Sequence, residues 1–374
     1  MDTSKLRVLV SSIIKPISYL FPVKSNRVLF KSYDDKYNCS PKYLCEYIIH
    51  NCKGEFEPVY VTFDDKATEY LKSKNVKVCK ALTLKYFIYM FTSKFIVVNH
   101  NIPQYFPKKK SQIIINTWHG GGSYKRLIDN HTTPEEYAGT DKFISSCRSF
   151  SKNNLQEDFF IKKENIFEVG LPRNDLFFTN RPDITDKIKR ELGISKEKKI
   201  ILYAPTFRAS HKKEHLSSDF KKIIDACNKK FGGEFVFVNR DHRFSLENNS
   251  DEKNEKFIYE SNKITDTQEL IYASDIIITD YSSVMWDASF SGHPCFIYAY
   301  DLEDYYRIWD FYTPIEEWPF PVGKTIDELV DKILSFDKEE YDNAVKLHHK
   351  ALGSFETGNA CKKTVEYMLS KISN

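Results

Sequence analysis

Short apolar runs alternate along the chain with longer stretches in which apolar positions recur at a helical period. In the first half, the apolar runs predict strands over Arg27–Tyr33, Pro58–Phe63, Phe95–Asn99, Ile113–Thr117, Lys142–Cys147 and Ile166–Val169. The stretches between them predict helices, among them Pro41–Asn51, Leu82–Ser93 and Ser149–Phe160. Strands that alternate with helices in this way are typical of α/β domains built on a parallel sheet.

The second half repeats this alternation after an interruption at the segment TNRPD. It predicts strands over Lys199–Ala204, Glu234–Val238, Lys256–Tyr259, Ile276–Thr279 and Cys295–Tyr298, with helices over Ser218–Phe231, Thr267–Ala273 and Val284–Phe290. The chain ends in predicted helices over Ile326–Phe336, Tyr341–Ala351 and Asn359–Ser370. We expect two Rossmann-like domains that face each other across a cleft. Residues 26–182 form the first, and residues 183–374, with the C-terminal helices, form the second.

Composition excludes several classes of protein. The 374 residues are enough for two hydrophobic cores, and the net charge of only +3 argues against a dedicated nucleic-acid binder. No apolar run approaches the length of a membrane-spanning helix, and none of the eight cysteines stands in a CxxC pair. We therefore expect a cytoplasmic chain with reduced, mostly buried thiols. The oligomeric state stays open.

Residues 1–25 form a distinct basic and apolar segment. No acidic residue occurs from Thr3 to Tyr33, while lysines and arginines alternate with large apolar residues. Such a segment can lie in the headgroup layer of an anionic membrane. It can equally pack as a helix on its own domain, with its lysines in water. The segment alone favours neither interpretation.

Polar residues and glycines follow several predicted strands, where ligands bind in open parallel sheets. The first group is Asn116–Lys125, in which His119 precedes three glycines. Gly120 and Gly121 allow backbone N–H groups to approach an anion, and a histidine beside them is suited to act as a general base. The alternative is a tight turn with a structural histidine.

Two further groups follow the next strands. Thr206 offers a hydroxyl and Arg208 a fork of donors suited to phosphate, although a plain turn with a surface arginine is the simpler interpretation of this pair alone. In the other group, Arg240 and Arg243 flank His242. Cations placed together at a strand end favour a shared anion, such as a pyrophosphate, over a solvated polar loop.

The fourth group has the strongest pattern. The apolar strand in SDIIIT ends at Asp280, and Ser282 and Ser283 then open a predicted helix. Hydroxyls and N–H groups at a helix N-terminus form an anion site. The same residues are also favoured as simple helix caps, so the two roles are compatible.

At these residues the sequence resembles the CDP-glycerol glycerophosphotransferase family, which includes the teichoic acid primases and polymerases. The motifs TWHG, GLPRND with Arg173, YAPTFR, the His242 segment, SDIIITDYSS and YAYDLEDYY occur in the family's order. They span nearly the whole chain. The combination of ITDYSS with YAYDL is highly specific for the family.

The resemblance implies a GT-B-like fold and transfer of glycerol phosphate, or a related polyol phosphate, from a CDP-linked donor with release of CMP. His119 and His242 match two essential histidines, and Ser282 and Ser283 match a phosphate-binding motif. The first domain then serves the acceptor and the second the donor. Donor or phosphate contacts are expected at Gly120, Gly121, Arg173, Thr206, Arg208, Arg240, Arg243, Asp280, Ser282 and Ser283.

The resemblance also implies a lipid-linked or glycan acceptor, a role in teichoic acid-like or capsule polymer synthesis, and a peripheral location at the cytoplasmic membrane face. No acidic cluster has the spacing of a Mg²⁺ site, so we predict no obligatory metal and no cofactor. Two rival functions are a GT-B glycosyltransferase that uses a nucleotide sugar and a non-catalytic nucleotide-binding protein. The polyol, the acceptor, and the choice between primase and polymerase stay open.

Overall fold

The computed structural model describes residues 14–102, 106–127, 137, 139–206, 217–240 and 257–372. Within these residues, thirteen strands form two separate parallel sheets. The chain divides into two compact units. The first contains the described residues up to His119, then Leu127–Asp175, then the chain from Ser354 onward; the second contains Gly120–Arg126 and Leu176–Gly353.

The sheet of the first unit has seven strands in the order β3-β2-β1-β4-β5-β6-β7. They are β1 (Lys24–Lys31), β2 (Glu57–Val61), β3 (Lys77–Cys79), β4 (Ser93–Val98), β5 (Ile113–Asn116), β6 (Lys142–Ser145) and β7 (Ile166–Glu168). The accompanying helices include Cys39–Asn51, Asp65–Ser73, Leu84–Thr92, the π-helix Phe150–Asp158 and Ala360–Ser370. The strand order reverses between β1 and β4, which is where open α/β sheets bind ligands.

The sheet of the second unit has six strands in the order β10-β9-β8-β11-β12-β13. They are β8 (Lys199–Tyr203), β9 (Phe235–Asn239), β10 (Ile258–Glu260), β11 (Ile276–Thr279), β12 (Cys295–Tyr298) and β13 (Val322–Gly323). Its helices include Pro182–Leu192, Ser217–Phe231, Thr267–Ala273, Val284–Ala288, Leu302–Ile308, Ile326–Leu334 and Lys338–Leu352. Counted from β8, this is the strand order of a Rossmann fold, with the reversal between β8 and β11.

Burial explains why the strands appear in the sequence as continuous apolar runs. Every residue of β9 and of β11 is buried, as expected for parallel strands that are covered on both faces. Several helices start at a capping side chain: Asp64, Thr83, Asp266 and Asp337 each accept a hydrogen bond from a first-turn N–H. The eight cysteines, all within the described residues, form no disulfide, and all except Cys39 are buried.

The C-terminal segment differs from the predicted division of the chain, which assigned residues 183–374 to one domain. From Ser354 onward, the chain is part of the first unit. The Glu356 carboxylate accepts hydrogen bonds from Leu171 N at 2.9 Å and from Asn174 Nδ2 at 3.1 Å. The Asp175 carboxylate accepts from Ala360 N at 3.0 Å and from Cys361 N at 2.7 Å. Two buried or partly buried carboxylates therefore fasten this segment to the loop after β7.

The N-terminal segment is only partly described, because residues 1–13 lie outside the described residues. Residues 14–19 are helical, and the ring of Phe21 lies 6.1 Å from that of Phe91. Lys109 Nζ donates to Phe21 O at 2.5 Å and to Phe91 O at 2.8 Å. Other apolar side chains of the segment are exposed, namely Ile17, Tyr19 and Leu20. None of the described helices is both long enough and apolar enough to span a bilayer.

Candidate active site

The turn that carries His119 is held in a strained conformation. Trp118 has a φ of 53°, a left-handed value that bulky residues rarely adopt. Its N–H donates to Asn116 Oδ1 at 2.9 Å, and its ring centroid lies 4.8 Å from that of Phe159. The hydroxyl of Thr117 donates to Val98 O at 3.1 Å. Strain that the surroundings hold in place is typical of functional turns, and here it presents the next residue, His119.

His119 is exposed, and its ring has a defined orientation. Its Nδ1 lies 3.0 Å from Asn99 O. A carbonyl oxygen only accepts hydrogen bonds, so Nδ1 carries the proton and a neutral ring has its lone pair on Nε2. Asn99 follows β4, at the reversal point of the first sheet. The histidine therefore has the tautomer that a general base requires, at the edge of the sheet where ligands are expected.

Two residues beside His119 were missed by the sequence analysis. Asn99 Oδ1 accepts from Tyr33 N at 2.8 Å, which joins the loops that follow β4 and β1. Burial lowers the pKa of His100 to about 4, and Lys31 and His119 add to this effect. His100 is therefore neutral at pH 7 and adds no positive charge beside His119. Both residues follow the apolar strand in FIVV, so the strand-end rule, applied to every strand, would have found them.

In the second unit, Asp280 joins the loops that follow β8 and β11. Its Oδ1 accepts from Thr206 N at 2.8 Å, from Thr206 Oγ1 at 2.6 Å and from Ser282 N at 3.1 Å. Asp280 is 1% exposed. The structure thus brings three of the predicted site residues together at the reversal point of the second sheet. The carboxylate faces the protein's own donors, and its predicted contact with the donor substrate stays a prediction.

Ser282 and Ser283 precede a helix that is shorter than predicted. The helix Val284–Ala288 has five residues, and the Ser283 side chain makes no capping hydrogen bond. Ser282 Oγ accepts from Val284 N at 3.4 Å. A helix of little more than one turn has a small dipole, so an anion at this loop would depend mainly on nearby hydroxyls and N–H groups.

The guanidinium of Arg240 forms hydrogen bonds to a neighbouring loop of the protein. Its Nη1 donates to Ser261 O at 3.3 Å and also to Ile264 O, and its Nη2 donates to Thr265 O and Thr267 Oγ1, each at 3.3 Å. Burial lowers the pKa of this guanidinium. Most of the fork of donors therefore fastens the loop before the helix Thr267–Ala273.

Arg173 lies in the first unit and is 2% exposed. Its Nη1 donates to Cys39 Sγ at 3.4 Å. The residues joined by Asp280 belong to the second unit. The structure therefore does not bring Arg173 together with them inside one unit, and its predicted phosphate contact stays a prediction.

The glycines after His119 pack closely against an aromatic side chain. Gly120 and Gly121 are buried, and a Cβ added at Gly121 would lie 2.1 Å from Trp286 Cδ1. Trp286 is fully buried in the helix that follows Ser282 and Ser283. Gly122 has a φ of 69°, which favours glycine. Close packing of Gly121 on Trp286, both in the second unit, is thus one reason for a glycine here, and it was not predicted from the sequence.

The remaining predicted site residues, Arg208, His242 and Arg243, lie outside the described residues, and their roles stay predictions. No group of three or more His, Cys, Asp or Glu side chains in the described part of the chain could hold a metal ion. The prediction that no metal is required therefore rests on the sequence argument.

Comparisons with known proteins identify the family of the chain. A family model described as CDP-glycerol:poly(glycerophosphate) glycerophosphotransferase matches residues 13–370. The teichoic acid poly(glycerol phosphate) polymerase of Bacillus spizizenii is 30% identical over 390 residues, which cover 99% of this chain and 98% of that protein. The polymerase of the same name from Bacillus subtilis is 28% identical over 364 residues, covering 92% of this chain but 48% of that protein.

A solved structure is similar over the same length. The wall teichoic acid polymerase TagF, as a histidine-to-asparagine variant soaked with CDPG, has a TM-score of 0.80 and 27% identity, covering 98% of this chain and 93% of that one. This similarity, with the two parallel sheets, confirms the predicted α/β, GT-B-like fold. The chain belongs to the CDP-glycerol:poly(glycerophosphate) glycerophosphotransferase family.

Proposed function

We propose that the chain transfers glycerol phosphate from CDP-glycerol to a hydroxyl of a lipid-linked or glycan acceptor and releases CMP. The product is a teichoic acid-like or capsule polymer. Membership of the family makes the chain an enzyme. The relatives named as poly(glycerol phosphate) polymerases and the similar TagF structure soaked with CDPG support glycerol phosphate as the transferred group.

His119 is the proposed general base, and its bond to Asn99 is the observation that carries this role. With the proton on Nδ1 held by Asn99 O, Nε2 accepts the proton of the attacking acceptor hydroxyl. The hydroxyl oxygen forms a bond to the phosphorus that bears glycerol, and the bond from this phosphorus to the bridging oxygen breaks. That oxygen leaves with CMP, in line with the attack.

The loops joined by Asp280 are the proposed binding place for the phosphates of the donor. Asp280 fixes the backbone at Thr206 and Ser282, so the donors of this loop pair are positioned before the substrate arrives. Preorganised donors stabilise charge that develops on phosphoryl oxygens. Arg208 and Arg243 would add positive charge here, and His242 is the proposed second catalytic residue.

The His119→Gln variant tests the proposed base. A general base typically contributes about 10²–10⁴-fold in rate, so CMP release should fall by that range while CMP affinity is unchanged. The matched control is His50→Gln, because the His50 side chain is 59% exposed on the helix Cys39–Asn51. Equal turnover in His119→Gln and in the control would remove His119 from the mechanism.

A donor panel distinguishes the proposed activity from the rival glycosyltransferase. CDP-glycerol, CDP-ribitol, a UDP-sugar and a CMP-sugar are each incubated with the enzyme and a lipid-linked acceptor, and products are analysed by mass. We expect a mass increase of one or more glycerol phosphate units with CDP-glycerol. Transfer of a sugar alone would contradict the proposal and favour the rival.

We also propose a peripheral location at the cytoplasmic membrane face. Ile17 and Leu20 are 46% and 78% exposed in a segment that carries lysines and an arginine but no acidic residue from Thr3 onward. Large apolar residues beside cations suit an anionic lipid surface. Replacing both residues with serine should reduce sedimentation with anionic vesicles. The control is Leu347→Ser, which changes a leucine that is 67% exposed in the second unit. Equal sedimentation of the two variants would contradict this location.

A further inference from the structure

The second unit contains an open cavity of about 540 Å³. Its lining residues include Phe178, Asn180, Thr185, Tyr272, Ser291 and His293. Tyr272 precedes β11, and Ser291 and His293 precede β12. The cavity therefore lies toward the amino ends of these parallel strands.

The loops proposed to bind the donor follow the carboxyl ends of β8 and β11. These strands have five and four residues, so the two edges of the sheet are about 13–17 Å apart. A ligand in the cavity is therefore remote from the loops joined by Asp280, and the cavity is a separate place for binding.

One wall of the cavity is aromatic and well supported. Phe178 is 48% exposed, and its ring centroid lies 6.0 Å from that of Phe290. The Tyr272 hydroxyl donates to Thr179 O at 3.1 Å and accepts from Arg181 N at 2.6 Å. An exposed aromatic face with a fixed neighbour offers an apolar surface whose ordering costs little entropy.

Polar groups beside this wall have unused hydrogen-bonding capacity. The His293 ring, the Thr185 hydroxyl and the Asn180 amide make no hydrogen bond to any residue that the structure describes. Burial lowers the pKa of His293, with Asp275 opposing the effect and Lys338 adding to it, so the ring is neutral at pH 7. A neutral ring, a hydroxyl and an amide together present donors and acceptors without net charge. None of the described residues that line the cavity is a lysine or an arginine, which would favour a phosphate.

We propose that this cavity binds a neutral saccharide unit. The C–H face of a sugar ring packs on the Phe178 ring, and the sugar hydroxyls bond to Thr185, Asn180 and His293. A volume of about 540 Å³ is in the range of small-molecule sites and accommodates one or two sugar rings. We infer that this sugar belongs to the glycan part of the acceptor, and this inference rests on the proposed function. Bound there, the glycan would keep the acceptor on the enzyme between transfers.

Titration with N,N′-diacetylchitobiose, a neutral disaccharide, tests the site by calorimetry or saturation-transfer NMR. We expect saturable binding by the wild type and affinity reduced by about tenfold or more in Phe178→Ala, because the stacking surface is removed. Thr185→Val, which loses only a hydroxyl, should weaken binding by a smaller factor. The matched control is Phe160→Ala, since Phe160 is 50% exposed in the first unit.

Several outcomes would overturn the saccharide site. They are no saturable binding by the wild type, equal affinity in Phe178→Ala and the control, or tighter binding of glycerol phosphate than of the disaccharide in the same cavity. CMP affinity and CMP release are measured on the same samples. Failure of those two measurements in the wild type would count against the proposed transferase, whereas a lost saccharide signal alone would not.

Discussion

At the residue scale, Asp280 shows how a carboxylate can position the loops of a proposed phosphate site. A free carboxylate would repel the donor, but Oδ1 of Asp280 accepts three hydrogen bonds from Thr206 and Ser282. Buried N–H groups cost about 1–3 kcal/mol when they lose their acceptor. Asp280 is therefore a positioning residue that sets the geometry of both loops.

Replacing Asp280 separates its role as an acceptor from its charge. Asp280→Ala leaves two backbone N–H groups without this acceptor, so the loops should loosen and KM for CDP-glycerol should rise by about tenfold or more. Asp280→Asn keeps one acceptor oxygen and should remain much closer to the wild type. KM and kcat are measured for both variants. Equal KM values in Asp280→Ala and the wild type would show that the loops do not depend on this carboxylate.

Single-residue roles were only partly predictable from the sequence. The strand-end rule placed Thr206, Asp280 and Ser282 after two strands, and the structure brings these residues together because β8 and β11 are neighbours at the reversal point of the sheet. Their contact with the donor stays a prediction. The rule gives the position of a side chain but not its direction. Arg240 follows β9 as expected, yet its guanidinium bonds to the loop before Thr267. A sequence contains no information on which carbonyl groups a nearby loop will present to an arginine.

At the element scale, the close packing of Gly121 on Trp286 links two motifs. Gly121→Ala would place a Cβ 2.1 Å from Trp286 Cδ1, so the indole or the loop must move. Overpacking of this kind typically costs about 1–3 kcal/mol. Because Ser282 and Ser283 directly precede the helix of Trp286, we expect both lower stability and weaker CMP binding. Thermal melting and calorimetry measure the two effects.

Two further variants show whether the indole is the cause. Gly139→Ala is the matched control, because the nearest neighbour of its added Cβ is 4.0 Å away. Adding Trp286→Leu to Gly121→Ala removes the clashing ring and should restore part of the CMP affinity. Identical CMP affinity in Gly121→Ala and Gly139→Ala would contradict the proposed link.

The helix Lys338–Leu352 contains two histidines that make stability depend on pH. Burial lowers the pKa of His348 to about 4, and burial together with His348 lowers that of His349 to about 4. In the unfolded chain both would titrate near 6.5, so below that pH the unfolded state binds more protons. The contribution of the two neutral histidines to the free energy of unfolding is therefore present above pH 6.5 and is lost as the pH falls toward 4.

Urea unfolding at pH 7 and pH 5 checks this dependence. Each such histidine should lower the free energy of unfolding by on the order of 2 kcal/mol when the pH falls from 7 to 5. His349→Gln keeps a side-chain amide that can bond to Ser289 Oγ, as His349 Nε2 does at 2.7 Å. It should therefore reduce the loss on acidification by about one histidine's share. A variant with the same pH dependence as the wild type would exclude His349 as a cause.

Elements were predicted best where burial makes the pattern strong. All strands of four or more residues appear as apolar runs, since both faces of a parallel sheet are covered. Among the shorter strands, the three-residue β7 and β10 were predicted, whereas the three-residue β3, which begins with an exposed lysine, and the two-residue β13 were missed. The predicted helix Ser149–Phe160 is the π-helix Phe150–Asp158, whose wider hydrogen-bond pattern has no sequence period of its own.

At the scale of the whole molecule, no single boundary in the sequence separates the two compact units, because the C-terminal segment belongs to the first unit. Local patterns predicted two successive Rossmann-like halves, and two such sheets are present. The helix Ala360–Ser370, however, packs on Cys39–Asn51 of the first unit, more than 300 residues earlier in the sequence. An amphipathic helix shows that one face is buried but not which domain covers it.

The Glu356→Ala variant tests how firmly this returning segment holds the first unit. Glu356 is 8% exposed and accepts from Leu171 N and Asn174 Nδ2, so its removal leaves buried donors without this acceptor. Hydrogen bonds to charged groups contribute about 1.5–3 kcal/mol each, and we expect a loss of about 3 kcal/mol in the unfolding of the first unit. Glu366→Ala, an exposed change in the C-terminal helix, is the control. Urea unfolding followed by tryptophan fluorescence and circular dichroism reports the transition of each unit. If Glu356→Ala and Glu366→Ala unfold at the same urea concentration, the segment rests on the first unit without contributing to its stability.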